Sequence, residues 1–129
     1  QAVVAHAWTM ADHQLLVLAL TRLGQLTGTS AVATALLPPL AAADDALREA
    51  VLQWPSSPRF SLMDRACLAF VEQVQLDPTS VTSAQVDEMR LGMTSAEVLG
   101  FASAVYVLDA EIRVVAVLSQ VLGEPAVVA

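Results

Sequence analysis

Two histidines are the side chains of this sequence best suited to binding a metal ion. His6 and His13 lie seven residues apart, and on one continuous helix that spacing separates them by about 10 Å. A metal pair on a helix needs a spacing of three or four residues together with further ligands. We therefore interpret both histidines as ordinary terminal or partly buried side chains, and we predict neither a metal site nor a cofactor.

Cys67 is the only cysteine and the one candidate for thiol chemistry. An activated thiolate needs a nearby cation or a helix N-terminus to lower its pKa, whereas Cys67 lies on an apolar stripe between Met63 and Val71. The neighbouring Arg65 projects from another face. We therefore predict that Cys67 packs in the core. A single cysteine forms no internal disulfide, which favours a reducing compartment, and we expect a cytoplasmic protein.

Three charged residues interrupt the most apolar segment of the chain. Asp109 and Arg113 are four residues apart, a spacing at which an ion pair forms readily on a helix, and Glu111 lies between them. We interpret the pair as a structural contact within the helix or between subunits; the alternative is a charge that faces a ligand. The sequence contains no glycine-rich phosphate loop, G-x-S-x-G, H-E-x-x-H or paired-cysteine motif. Catalytic residues therefore stay unassigned.

The composition limits which partners the chain can have. Of its 129 residues 56% are hydrophobic and 15% charged, with a net charge of -7, against about 45–50% and about 25% in typical domains. A chain this small and apolar needs a membrane or an oligomer interface to cover its surface. The most apolar windows contain either Arg22 or the Asp109, Glu111 and Arg113 group, so we exclude a membrane span and predict a homo-oligomer. Six arginines and no lysine supply no patch for nucleic acid.

The second half of the chain has clear helix boundaries. Ser61 and Asp64 form a capping-box pattern before a helix that starts at Leu62 and ends near Asp77, ahead of Pro78. We predict that Ser83 caps a short helix that stops at a left-handed Gly92. Thr94 and Glu97 then open a helix from Ser95 to Leu122, with Gly123 beyond it. Because its valines also lie outside the main stripe, we predict that this helix is buried on several faces.

The first half contains three further helical segments. We predict helices from Asp12 to Leu26, from Ser30 to Leu37 and from Asp44 or Asp45 to Leu52. The stretches from Thr27 to Ser30 and from Trp54 to Phe60 are predicted as loops. No segment alternates with a period of two between turns, so the fold class is all-α. We treat residues 1–129 as a single domain, and a missing upstream segment stays open because the sequence begins with Gln1.

The stretch from Ser61 to Gly123 resembles the alkylhydroperoxidase (AhpD-like) and carboxymuconolactone decarboxylase-like family. It reads D-R-A-C-L-A-F in the first helix, D-P-T-S-V-T in the connector, then a short helix, an S-A-E cap and a long helix with a late arginine, Arg113. The family has these elements in the same order and at similar spacing. The resemblance covers about half of the chain and implies an AhpD-like, oligomer-forming helical bundle.

The segment that would carry the family's chemistry has lost its reactive residues. The run L-L-V-L-A-L-T-R-L-G-Q-L-T-G-T-S-A-V-A-T resembles the family's E-L-V-x-L-A followed by C-x-x-C-x-x-x-H. In this alignment Leu15 replaces the proton-relay glutamate, Thr27 and Ser30 replace the two cysteines, and Thr34 replaces the histidine. A hydroxyl without a base cannot replace a peroxide-reducing thiolate. The resemblance therefore implies no peroxidase site in this chain.

We accordingly predict an AhpD-like domain that has lost its C-x-x-C redox centre and acts as a non-catalytic structural, interaction or apolar-ligand-binding homo-oligomer. One alternative is a peroxidase-related or decarboxylase-like enzyme that uses groups other than cysteine, for which Asp109, Glu111 and Arg113 form the most suitable polar cluster. Another is a plain helical bundle that resembles the family only through the common periodicity of helices.

Overall fold

The described part of the chain consists of helices joined by turns. A computed structural model describes residues 2–28, Ala33, Leu36 and residues 44–122. The helices are α1 (Ala2–Ala7), α2 (His13–Thr27), α3 (Asp45–Leu52), α4 (Leu62–Leu76), α5 (Ser83–Arg90) and α6 (Ser95–Leu122), with a 3-10 turn at Pro78–Ser80. No β-strand occurs in the ranges just given. The all-α prediction is therefore confirmed.

Side-chain caps set where the helices begin, as the sequence predicts. The first-turn N–H groups of α4 and α6 donate to the predicted caps, Ser61 and Thr94. Asp12 and Asp44, which were predicted only as helix-start residues, also act as caps. The cap of α5 was predicted wrongly: Thr82, not Ser83, accepts the N–H of Gln85, and the Gln85 side chain accepts the N–H of Thr82 in return. This reciprocal pair satisfies two N–H groups at once, which a cap at Ser83 would not do.

Gly92 does not end α5 in the predicted left-handed conformation, since Gly28 at the end of α2 is the described residue with a positive φ, 69°. The glycine at position 92 is explained instead by the lack of room for a side chain. A Cβ atom there would lie 2.9 Å from Sδ of Met63. The glycine lets the chain between α5 and α6 approach α4 closely.

Helix α2 lies at the centre of the bundle, where it contacts α3, α4 and α6. Its leucines at 16, 20 and 23 are fully buried. Phe70 of α4 and Phe101 of α6 meet across the core with ring centroids 6.1 Å apart. Of the helix predicted from Ser30 to Leu37, the structure describes Ala33 and Leu36, both helical and buried; the other residues of that segment lie outside the described ranges.

The described helices include none that is both long enough and apolar enough to cross a membrane. Helix α6 is the longest, and its buried side chains include Val98, Phe101, Val105, Leu108 and Ile112. Beyond Ile112 no described side chain of α6 is buried. Val115 still packs partly buried against the core, so the helix extends past the core from about residue 116 to Leu122.

Helix α1 is joined to α2 by a turn that packs directly on α6. A Cβ atom on Gly100 would lie 2.3 Å from the carbonyl oxygen of Met10. Backbone atoms cannot move aside as the end of a side chain can. Glycine in a helix interior normally costs stability, so the close approach of the turn explains why a glycine stands here.

We expect Gly100→Ala to destabilise the protein by about 1–3 kcal/mol, because the methyl group would displace the turn at Met10. Gly92→Ala is the matched control, since its methyl group meets the flexible side chain of Met63. Urea melts of both variants measure the difference. A stabilisation by Gly100→Ala of about 1 kcal/mol, the ordinary helix-propensity gain, would contradict the close packing.

Candidate functional site

The positions that align with the family's reactive residues form no reactive group where the structure describes them. Leu15 is buried in α2. Thr27 ends the same helix, and its hydroxyl donates to the carbonyl oxygen of Leu23 at 2.7 Å. Ser30 and Thr34 lie outside the described residues. A leucine in place of the glutamate leaves no carboxylate at that position to relay a proton.

The two histidines lie on separate helices rather than on one. His6 is in α1, whereas His13 is the first residue of α2. Nε2 of His13 lies 2.9 Å from the carbonyl oxygen of Trp8, and the two rings meet edge to face with centroids 5.6 Å apart. Across the described residues, no three His, Cys, Asp or Glu side chains come together as metal ligands. The contacts of His13 are therefore structural.

Cys67 packs in the core, as predicted. Its side chain is 1% exposed, and its Sγ lies 3.8 Å from Sδ of Met93. Burial, and to a smaller extent the negative charge of Asp64, raise the pKa of the Cys67 thiol from 9.0 to about 12. A thiol with such a pKa is protonated at neutral pH, which is the opposite of what a peroxidatic cysteine requires.

The predicted ion pair on α6 is present and lies at the edge of the bundle. Nε of Arg113 donates to Oδ2 of Asp109 at 3.1 Å, and Nη2 donates to the carbonyl oxygen of Gln75 at 3.2 Å. The Arg113 side chain is 52% exposed, against 13% for Asp109. A structural contact between α6 and the end of α4 therefore explains the arginine, with its guanidinium left half open to solvent.

A polar network between α2, α4 and the loop after α3 was not predicted from the sequence. Oε2 of Glu72 accepts from Nη2 of Arg22 at 3.0 Å and from Nε1 of Trp54 at 3.2 Å. Arg22 also donates to Gln25, whose amide donates to the carbonyl oxygen of Arg48. Fifty residues separate Arg22 from Glu72, so no local spacing could indicate the pair. Its contacts join helices, which is a structural role.

Two open cavities lie beside α4. The larger, about 540 Å³, is mainly apolar and is lined by Trp54, Leu62, Met63, Ala66, Ala69, Leu91 and Gly92, with Arg65 and Glu88. The smaller, about 390 Å³, is lined by a more polar set that includes Asp44, Arg59 and Asp64. Nη2 of Arg65 already donates to the carbonyl oxygen of Ser57 at 2.7 Å. Neither cavity brings a nucleophile next to a base.

Helix α6 carries an extended exposed apolar surface on the side opposite its buried stripe. It forms a line of apolar and small side chains that we call the outer face: Leu99, Ser103, Tyr106, Ala110, Val114, Val117 and Val121, with Leu118 and Leu122 along one border. Exposed fractions range from 45% at Tyr106 to 74% at Val121 among the large members. The prediction that α6 is buried on several faces is wrong for the single chain.

Comparison with protein-family models, curated proteins and solved structures finds no match to this chain.

We expect the free energy of unfolding to fall as pH rises from about 9 towards 12, by up to about 1.4 kcal/mol per pH unit, because the unfolded thiol of Cys67 ionises before the folded one. The stabilisation is complete below the unfolded pKa and is lost above it. Urea melts of the unmodified chain and of Cys67→Ala over this range measure the slope. Equal slopes in the two proteins would show that Cys67 is not the group responsible.

We expect Glu72→Ala to destabilise the protein by about 1–3 kcal/mol, because Arg22 and Trp54 each lose an acceptor in a partly buried position. Glu72→Gln keeps an acceptor oxygen and should lose less. The control is Glu49→Ala, at an exposed position of α3. Thermal or urea unfolding measures all three variants, and equal losses at positions 72 and 49 would show that the network does not stabilise the fold.

Proposed function

We propose that this chain is a non-catalytic domain of the AhpD-like type that acts by forming a homo-oligomer through the outer face of α6. The observation that carries the proposal is the exposure of the apolar side chains on that face, since Val114, Val117 and Val121 are all more than half exposed. Buried apolar surface contributes roughly 25 cal/mol per Å². Covering this face would therefore supply a substantial driving force for association.

The size and chemistry of the outer face favour an apolar partner. Its large side chains together expose several hundred Å² of contiguous apolar surface, the extent at which patches on single proteins commonly mark binding sites. From Val114 to Leu122 the helix carries no charged residue. A charged partner would lose hydration there without gaining an ion pair, whereas another apolar surface would not.

Several features support a role without thiol catalysis. The thiol of Cys67 is buried and its pKa is raised, while Leu15 and Thr27 stand where the resemblance requires a glutamate and a cysteine. The AhpD-like type rests on the sequence resemblance of the stretch from Ser61 to Gly123, whose predicted caps at Ser61 and Thr94 and helices α4 and α6 are present. We propose the AhpD-like type for the fold of this chain and not for an enzymatic activity.

The cavity beside Trp54 gives an apolar ligand the best alternative location. Its lining includes Leu62 and Leu91, which are 82% and 87% exposed. This groove is open, and its one cation, Arg65, already donates to a backbone carbonyl. Association through α6 is favoured over ligand binding because the outer face is longer, contiguous and free of charge at its end.

We expect light scattering to give a mass that is a multiple of 13.6 kDa for the unmodified chain, and 13.6 kDa for a variant that carries Val117→Glu and Val121→Glu. Two carboxylates would have to be desolvated in the contact. Gln120→Glu is the control, an exposed position of α6 outside the outer face. A monomeric unmodified chain would contradict the proposal, and an oligomer that tolerates both glutamates would contradict the assignment of the surface.

A further inference from the structure

We propose that the outer face of α6 packs antiparallel against the same face of a second copy, about a twofold axis that passes at Ala110. This inference rests on the proposed function, because it specifies how the copies meet. A twofold contact uses the same patch on both subunits, so the patch must be complementary to itself when it is reversed. The outer face has this property in its spacing, in the sizes of its side chains and in its charges.

The spacing of the outer face reads the same in both directions. From Leu99 to Val121 the residues follow at steps of four, three, four, four, three and four, with Ala110 at the centre. This is two repeats of eleven residues, a period of about 3.67 residues per turn that is close to the 3.6 of an α-helix, so the line drifts only slightly around the helix. When a second copy of the helix runs in the opposite direction with its Ala110 beside the first Ala110, every residue of the outer face therefore lies beside a residue of the other outer face.

The side-chain sizes also match in this antiparallel register. Leu99 of one copy would face Val121 of the other, Ser103 would face Val117, and the pair at the axis would be Ala110 with itself. The small residues at 103 and 110 allow the helices to approach closely near the axis. In a parallel register each residue would instead face the same residue of the second copy. This would set Tyr106 against Tyr106 and leave a gap between the two Ser103 side chains.

The position of the bundle on α6 favours the same arrangement. The contact of α6 with the core ends at Val115, so the projecting residues 116–122 would lie along the first half of α6 in the other copy. The contact would extend over about 33 Å of helix. Stable interfaces bury about 800 Å² per partner, which an overlap of this length can supply and which the projecting end alone cannot.

Charge provides the last argument. Each copy has a net charge of -7, and a parallel contact would set the two acidic bundles directly opposite each other. The antiparallel contact offsets them along the axis and so weakens their repulsion. It also brings the half-exposed guanidinium of Arg113 towards Asp109 of the second copy, across the axis at Ala110. Two Asp109–Arg113 pairs would then border the contact.

Engineered cysteines test the register in the full chain, in a Cys67→Ala background that leaves no other thiol. We would oxidise Ala110→Cys, Tyr106→Cys and Val114→Cys separately, and the last two also as an equal mixture. We expect Ala110→Cys to form a disulfide with its own copy. In the antiparallel register, position 106 of one copy lies beside position 114 of the other, so we expect these two variants to form a disulfide only when they are mixed. Two copies of the same variant would place their introduced thiols about 12 Å apart along the helix axis.

The outcomes separate this inference from the proposed function. Disulfides of the 106 and 114 variants each with itself would show a parallel contact, which overturns the antiparallel inference and leaves the homo-oligomer intact. An oligomeric mass without any of these disulfides would place the contact on another surface and overturn the inference. A monomeric mass at every concentration would overturn the homo-oligomer as well. Circular dichroism of each variant confirms that it is folded before the comparison is made.

Discussion

Helix α6 packs Phe101, Val105 and Leu108 against the bundle while its opposite side carries a second apolar line. The described helices that contact α6 are α1, α2, α4 and α5, and among the described residues the outer face of α6 stays exposed. The small size of the chain explains this exposure, because a small domain has too little interior to bury the side chains of a sequence that is 56% hydrophobic. Seven of the eleven large apolar side chains that are exposed among the described residues lie on α6, where a second subunit can cover them.

Two contacts between residues far apart in sequence hold the bundle together. The turn at Met10 lies against the backbone of Gly100, which fixes α1 beside the first half of α6. The carboxylate of Glu72 joins Arg22 and Trp54, which fixes α4 and the loop after α3 on α2. In both contacts, polar groups of the chain position helices against one another.

Local signals predicted the helices well because capping and periodicity depend on neighbouring residues. The start of α4 at Leu62 and of α6 at Ser95 followed from S-x-x-D and T-x-x-E patterns that the structure contains as reciprocal hydrogen bonds. Ser83 and Gly92 were assigned wrongly because a hydroxyl one residue earlier makes the better cap and because the glycine serves a contact with Met63. Spacing along the chain cannot reveal such a distant contact.

The same distinction between local and distant contacts applies to the outer face of α6. The valines that lie off the main stripe of α6 were visible in the sequence, but which side the bundle covers depends on how α2, α4 and α5 pack on it. The homo-oligomer is tested most directly by sedimentation equilibrium of the unmodified chain from low to high salt. An apolar contact between two copies of charge -7 predicts a dimer that tightens as salt screens their repulsion. A mass of 13.6 kDa at every salt concentration, or a dimer that dissociates as salt rises, would contradict it.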